Sequence, residues 1–241
     1  MKIGLLSDAH GNPDGLANCI SVLRSRGAER LFFLGDAVGY LPRWLEVLEL
    51  LRSEDVACIR GNHDDRILQV PLQDDATDAY QLLPSYLASI NPYIAWMMTW
   101  PDILCLDLDG LTLVLVHASP EDRLNGYVYP WADVASIRWP QADVISMGHT
   151  HRPFARHHEG RLLVNPGSCG LPRDVGHLSS CALLDTQDRS ATVYRVPFDV
   201  QRVLADPRFI HPDVRQCLER SPKQYEGLLV DTPPERPFYT K

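Results

Sequence analysis

Five short apolar runs in this 241-residue chain end in residues that can bind a cation: Asp8 and His10, Asp36, Asn62 and His63, His117, and His149 with His151. Carboxylate oxygen, amide oxygen and imidazole nitrogen suit borderline divalent ions, and no cysteine is among these residues. Five of the nine histidines fall at such run ends, and none of those five sits on an apolar face. One histidine so placed would be read as a surface or core residue; five form a pattern. Asp8 and His10 are two positions apart, as are His149 and His151, so in extended chain each pair projects to one side. Asp8, His10, Asp36, Asn62, His117, His149 and His151 together exceed what a tetrahedral ion takes. They predict two ions of the Mn, Fe, Co or Zn type, with Mn²⁺ or Fe/Zn favoured and Asp36 able to bridge them.

The elements that must position these residues follow from the apolar pattern. Lys2 to Leu6 breaks into Ser7-Asp8-Ala9-His10-Gly11; Asn12 and Pro13 then suit the cap and first position of a helix carrying Leu16, Ile20 and Leu23 on one face. Leu31 to Leu34 runs into Gly35-Asp36, and Pro42 opens a second helix with Trp44, Leu48 and Leu51. Val56 to Ile59 leads into Arg60-Gly61-Asn62-His63-Asp64, read as a tight loop. Strand-helix-strand-helix-strand implies parallel strands with right-handed crossovers. Residues 75–100 read as two shorter helices broken at Pro84 and Pro92, their aromatic residues serving core packing. Asp109-Gly110 predicts a hairpin turn, a helix is expected near Ala132 to Arg138, and Asp143 to Met147 is a further buried run. Pro153 to His157 with Arg161 to Val164, and Ser179 to Leu184 with Ala191 to Val196, read as antiparallel pairs. One or two helices follow Phe198, and about 230–241 reads as a C-terminal tail without a core. The expected fold class is α/β: a four-layer α-β-β-α sandwich of two mixed sheets with helices on both outer faces. It forms a single domain over 1–241, with 75–100 a helical elaboration.

A net charge of −8 argues against broad nucleic-acid or anionic-membrane binding. The six cysteines show no CxxC spacing and read as buried small hydrophobes in a reducing compartment. No run is long enough for a transmembrane helix, and the N-terminal one is too short for a signal peptide. The expectation is a soluble cytoplasmic protein. A homo-oligomer is compatible with the sequence, with the aromatic-rich helices as the place for an interface.

Asp8-x-His10, Gly35-Asp36, Gly61-Asn62-His63-Asp64, His117 after an apolar strand, and Gly148-His149-x-His151 resemble, in order, the five blocks of the calcineurin-like metallophosphoesterases. Gly35-Asp36-Ala37-Val38-Gly39-Tyr40, His117-Ala118-Ser119-Pro120 and Asn165-Pro166-Gly167-Ser168 resemble the small bacterial phosphodiesterase-like branch. The resemblance implies that Asp8, His10, Asp36 and His151 hold one ion, and that Asp36, Asn62, His117 and His149 hold the other. It leaves His63 facing a small phosphorylated substrate as general acid or charge stabiliser. The implied reaction is in-line attack of a metal-bridging hydroxide on a phosphoester, a diester in this branch, with no phosphoenzyme. One departure stands out. Protein phosphatases and dinucleoside tetraphosphatases carry GDxxDRG at the second block, whereas this chain has Gly39 and Tyr40 where they carry Asp and Arg. That weakens a protein phosphatase or dinucleotide hydrolase reading, and leaves Asp64 as a candidate to orient His63. Arg173 and Arg60 are candidate phosphate contacts; His157, His158, His177 and His211 read as surface residues. Two other classes stay open here: a metal-binding scaffold for protein contact, which could afford to lose His63, and a nuclease, which the acidic charge disfavours.

Overall fold

A computed structural model of the chain describes residues 1–69, 84–221 and 238–239. In chain order its first half comprises β1 (Lys2–Leu6), α1 (Pro13–Ser25), β2 (Arg30–Phe33), α2 (Trp44–Ser53), β3 (Ala57–Cys58), α3 (Asn62–Gln69), α4 (Pro84–Met97), β4 (Ile103–Leu108) and β5 (Leu111–Val116). There follow a 3₁₀ turn at Val134–Ser136, β6 (Val144–Ser146), β7 (Phe154–His158), β8 (Arg161–Asn165), β9 (Leu178–Asp185), β10 (Ser190–Pro197), α5 (Val200–Leu204), α6 (Pro212–Leu218) and β11 (Phe238–Tyr239).

Strand alternation builds the layers. Ile3 and Leu5 of β1, Phe32 of β2, Ala182 and Leu184 of β9 and Val193 of β10 point one way. They meet Leu111, Leu113 and Leu115 of β5, Val144 of β6, and Leu162 and Val164 of β8 in a core between two sheets. The intervening residues Leu6, Leu31, Phe33, Cys181 and Tyr194 point outward, under α1, α2 and α4. Because both faces of these strands are covered, their sequences read as unbroken apolar runs. The first sheet has the order β11-β10-β9-β1-β2-β3 and the second β4-β5-β6-β8-β7. Parallel pairs (β1 with β2, β2 with β3, β5 with β6, β6 with β8) stand beside antiparallel ones, so both sheets are mixed as expected.

Details depart from expectation for identifiable reasons. Among the described residues the helical layer over the second sheet is a single 3₁₀ turn in an irregular segment whose Val128, Val134, Ile137 and Trp139 cover Val114, Val116, Ile145 and Leu163. Pro92 lies inside α4 without ending it. The missing N–H and ring clash cost ~3 kcal/mol, and burial of Ile90, Met97 and Trp100 against the first helical layer offsets that. Residues 75–83, Tyr80 among them, and the side chain of Tyr86 lie outside the described residues, as does the tail apart from β11, which pairs with Thr192 and Val193. Asn62 opens α3 rather than sitting in a loop. The described helices include none long and apolar enough to cross a membrane.

One buried ion pair ties the first sheet to the loop after β8. Arg195 of β10 is 2% exposed and donates to both Asp174 oxygens, one at 2.7 Å, and to the Leu178 carbonyl at 3.0 Å. Removing one partner strands the other charge out of water. Arg195→Ala is therefore expected to cost about 3–5 kcal/mol and to lower the melting temperature by roughly 10 °C. Scanning calorimetry checks this, and a shift below about 2 °C would show the pair to be energetically idle.

Candidate metal centre

β1, β2 and β3 in the first sheet, and β5 and β6 in the second, end where their loops bring Asp8, His10, Asp36, His63, His117, His149 and His151 into one buried cluster. The carboxyl ends of parallel strands are where such sheets place ligands. Ligand atoms lie within 4.8 Å of one another in three groups: Asp8, His10 and His151; His10, Asp36 and His63; Asp36, His117 and His149. His10 Nε2 is 3.0 Å from His151 Nε2 and 3.5 Å from Asp36 Oδ2. His117 Nε2 is 3.4 Å from that same Asp36 oxygen, 3.2 Å from His149 Nδ1 and 3.0 Å from Asn62 Oδ1. Asp36 therefore joins the two ends of the cluster.

The backbone is bent to achieve this. Asp8, His10, Asp36, His149 and His151 all have left-handed φ, between 45° and 63°, at a cost of roughly 1–3 kcal/mol each. Two glycines make room: a Cβ on Gly61 would stand 2.1 Å from Asp36 Oδ1, and one on Gly148 2.0 Å from Ser7 Oγ. Asn165 and Ser168 brace the loops, Asn165 Nδ2 donating to the Gly148 carbonyl at 2.8 Å and Ser168 Oγ to the Asp8 carbonyl at 2.7 Å. Each carboxylate spends one oxygen on the backbone: Asp8 Oδ2 accepts His149 N–H at 3.0 Å, and Asp36 Oδ1 accepts His63 N–H at 2.9 Å. The other oxygen of each faces the cluster.

The donor chemistry calls for a cation. Nδ1 of His10, His117 and His151 lies 3.1, 2.7 and 2.5 Å from the carbonyls of Val38, Leu34 and Leu171. A carbonyl only accepts, so Nδ1 carries the proton and Nε2 presents a lone pair inward. Asp8 Oδ1 is buried without a hydrogen-bond partner, 3.3 Å from His151 Nε2. Lone pairs facing one another at 3 Å need a proton or a metal between them, and the residues fit one or more metal ions. Burial lowers His63 to about 3, His149 to about 4 (helped by His117) and His151 to about 4 (helped by Arg173), so these rings are neutral at pH 7, the form that ligates a metal. His117 differs: burial pulls it down, but Asp36 and Asp8 outweigh this and raise it to about 9. Burial opposes ionisation of Asp8 and Asp36 too, yet the surrounding histidines hold both below the usual carboxylate range. Binding a metal at His117 would release its proton.

His63 sits at the first turn of α3 with its ring against His10 (centroids 4.7 Å) and Tyr40 (4.6 Å), and its Nε2 is 4.0 Å from Asp36 Oδ2. Asp64 does not reach it as an orienting group. Its oxygens accept backbone N–H groups of Asp36 (2.7 Å), Gly61 (3.0 Å), Ala37 (3.0 Å) and Val38 (3.3 Å), clamping the Asp36 loop to the start of α3. Burial and the Asp36 charge raise its carboxyl to about 7 against those donors. Arg173 lies beside the cluster: its backbone N–H points at the His151 carbonyl (3.5 Å), and its side-chain Nη2 donates to Tyr40 Oη at 3.3 Å. Tyr40 stands at the second-block position where this sequence departs from GDxxDRG, and its hydroxyl receives that guanidinium. Arg60 is held by Asp65, Nε to Oδ1 3.4 Å, and lines no part of the adjoining cavity. The sequence assigned no site role to Tyr40, Arg152 and Arg220 and read His211 as a surface residue, yet all four line that cavity. The only signal was Tyr40 in the second-block motif.

Comparison with known proteins places this geometry. Residues 1–189 match the model of the calcineurin-like phosphoesterase superfamily domain. A probable metallophosphoesterase of Methanothermobacter thermautotrophicus is 35% identical over 85% of this chain and 98% of its own length. Phosphodiesterase YfcE of Escherichia coli is 24% identical over 86% of this chain and the whole of its own. A metallophosphoesterase structure from Sphaerobacter thermophilus superposes with a TM-score of 0.75 at 25% identity, covering 90% of this chain and 98% of that one.

Proposed function

The chain belongs to the calcineurin-like phosphoesterase superfamily and is a metal-dependent phosphoesterase; on that premise we propose that it cleaves phosphodiester bonds of small phosphorylated substrates with two divalent ions, Mn²⁺ or Fe/Zn. Asp8, His10, Asp36 and His151 would hold one ion, and Asp36, Asn62, His117 and His149 the other. One observation carries the reading: a single oxygen, Asp36 Oδ2, stands 3.5 Å from His10 Nε2 and 3.4 Å from His117 Nε2. When bound, such ions bring the pKa of water toward ~7 and offset the two carboxylates, so a phosphate is attracted into an otherwise acidic protein.

The residues supply the rest. The Nδ1–H to carbonyl bonds of His10, His117 and His151 hold those three imidazoles rigid, so they need not reorganise as charge moves. His63, kept neutral by burial, acts as an N–H donor to a phosphoryl or leaving oxygen rather than as an imidazolium acid. Arg173, propped on Tyr40, reaches a non-bridging oxygen. The diester preference is supported by the relative named as a phosphodiesterase, and by Tyr40 where protein phosphatases carry Arg.

Protein stripped with a chelator is expected to turn over neither bis-p-nitrophenyl phosphate nor p-nitrophenyl phosphate. Mn²⁺ should restore activity, with the diester the better substrate by kcat/KM. Faster turnover of the monoester would make the protein a phosphatase. Metal uptake with turnover of neither would favour the scaffold reading.

A further inference from the structure

Beside the cluster lies a cavity of about 530 Å³ whose walls include Tyr40, Thr150 and Leu171, all neighbours of the metal-ligand candidates, and three arginines: Arg152, Arg173 and Arg220. They come from separate places: the loop after β6, the loop after β8, and the end of α6. They are held together by the fold. Arg220 Nη1 donates to the Arg173 carbonyl at 2.6 Å, Arg173 rests on Tyr40, and the Arg152 guanidinium stacks 5.3 Å from the Trp131 ring centre. Asp174 is committed to buried Arg195, and Asp213, on the rim, is 87% exposed and lies beside His211. Among the described residues no carboxylate lies within ion-pair distance of Arg173 or Arg220. Gathering three guanidiniums on one cavity in a chain of net charge −8, two of them without a carboxylate among the described residues, concentrates positive charge where an anion would relieve the repulsion. Burial lowers Arg152, the Asp174 carboxylate opposes that, and Arg220 and Arg173 lower it further.

We propose that this cavity is a subsite for a second phosphate group on the substrate, so that the preferred substrates are phosphodiesters whose organic part carries a further phosphate. The inference rests on the phosphodiesterase reading above and names its substrate class. The scissile phosphate would lie over the cluster beside His63 and Arg173, and the second phosphate would take the forked donors of Arg220 and Arg152, with Tyr129 and Tyr40 walling the connecting group.

The test uses the metal-loaded full chain and two chromogenic diesters, thymidine 5′-(p-nitrophenyl phosphate) with and without a 3′-phosphate; p-nitrophenolate release reports only the diester. The 3′-phosphorylated compound is expected to have kcat/KM at least about tenfold higher, mainly through KM, as fits charge-assisted bonds to phosphate. Arg220→Gln should bring the ratio of the two toward one, and Arg220→Lys should keep part of it. A ratio near one in the parent protein, or a ratio that survives Arg220→Gln, would overturn the proposal. Should neither diester be cleaved, the activity reading falls and calorimetry still decides the subsite. Thymidine 3′,5′-bisphosphate must then bind the metal-free protein several-fold tighter than thymidine 5′-monophosphate, and equal affinities would end the idea.

Discussion

Asp36→Asn is expected to lose bound metal and to lower turnover by more than about 100-fold, since even residues that only orient a metal ligand typically cost 10–100-fold. The substitution keeps the shape of the side chain. Asn can still accept the His63 N–H through one oxygen, the bond Asp36 Oδ1 makes at 2.9 Å. What changes is the atom between His10 Nε2 and His117 Nε2: an acceptor at 3.5 and 3.4 Å is replaced by an N–H₂ donor or an uncharged oxygen. Either way the lone pairs that meet there lose their shared negative partner. His117, held near 9 chiefly by Asp36 against its burial, should titrate lower in the variant. Elemental analysis of the purified variant beside its kcat checks the expectation. Two retained equivalents of metal would show that Asp36 does not join the ends of the cluster.

His63→Ala is expected to do the opposite on one axis and the same on the other, keeping metal while losing about 10²–10³-fold in kcat, the scale for removing one preorganised donor to a developing charge. The contrast matters because the geometry permits a second arrangement: His10, Asp36 and His63 also lie close enough to share an ion. The longer separation of His63 Nε2 from Asp36 Oδ2, 4.0 Å, favours the substrate-facing role, as does its packing against Tyr40 at the cavity wall. Metal content distinguishes the two. A variant that binds one ion fewer would move His63 into the ligand set, and an unchanged kcat would remove it from the chemistry.

Asp64 shows where adjacency in sequence misleads. It follows His63, yet α3 begins at Asn62, and successive helical side chains diverge by about 100°. His63 therefore faces the cluster while Asp64 turns back onto the N–H groups of residues 36–38. Pro92 misleads in another way: a local penalty was overridden by burial that only the packed helices reveal.

The amino-acid sequence alone determined the two-sheet architecture and the residue types at the strand ends. Alternation along doubly covered strands writes itself as apolar runs, and a polar group that follows such a run must emerge where the sheet stops. Tertiary structure alone decided that Asp36 stands between His10 and His117, that Tyr40 rather than Asp64 packs on His63, and that Arg152, Arg173 and Arg220 close around one cavity. Those contacts join loops separated by tens to well over a hundred positions, and no periodicity in a linear chain records which loop lies against which once two sheets have packed.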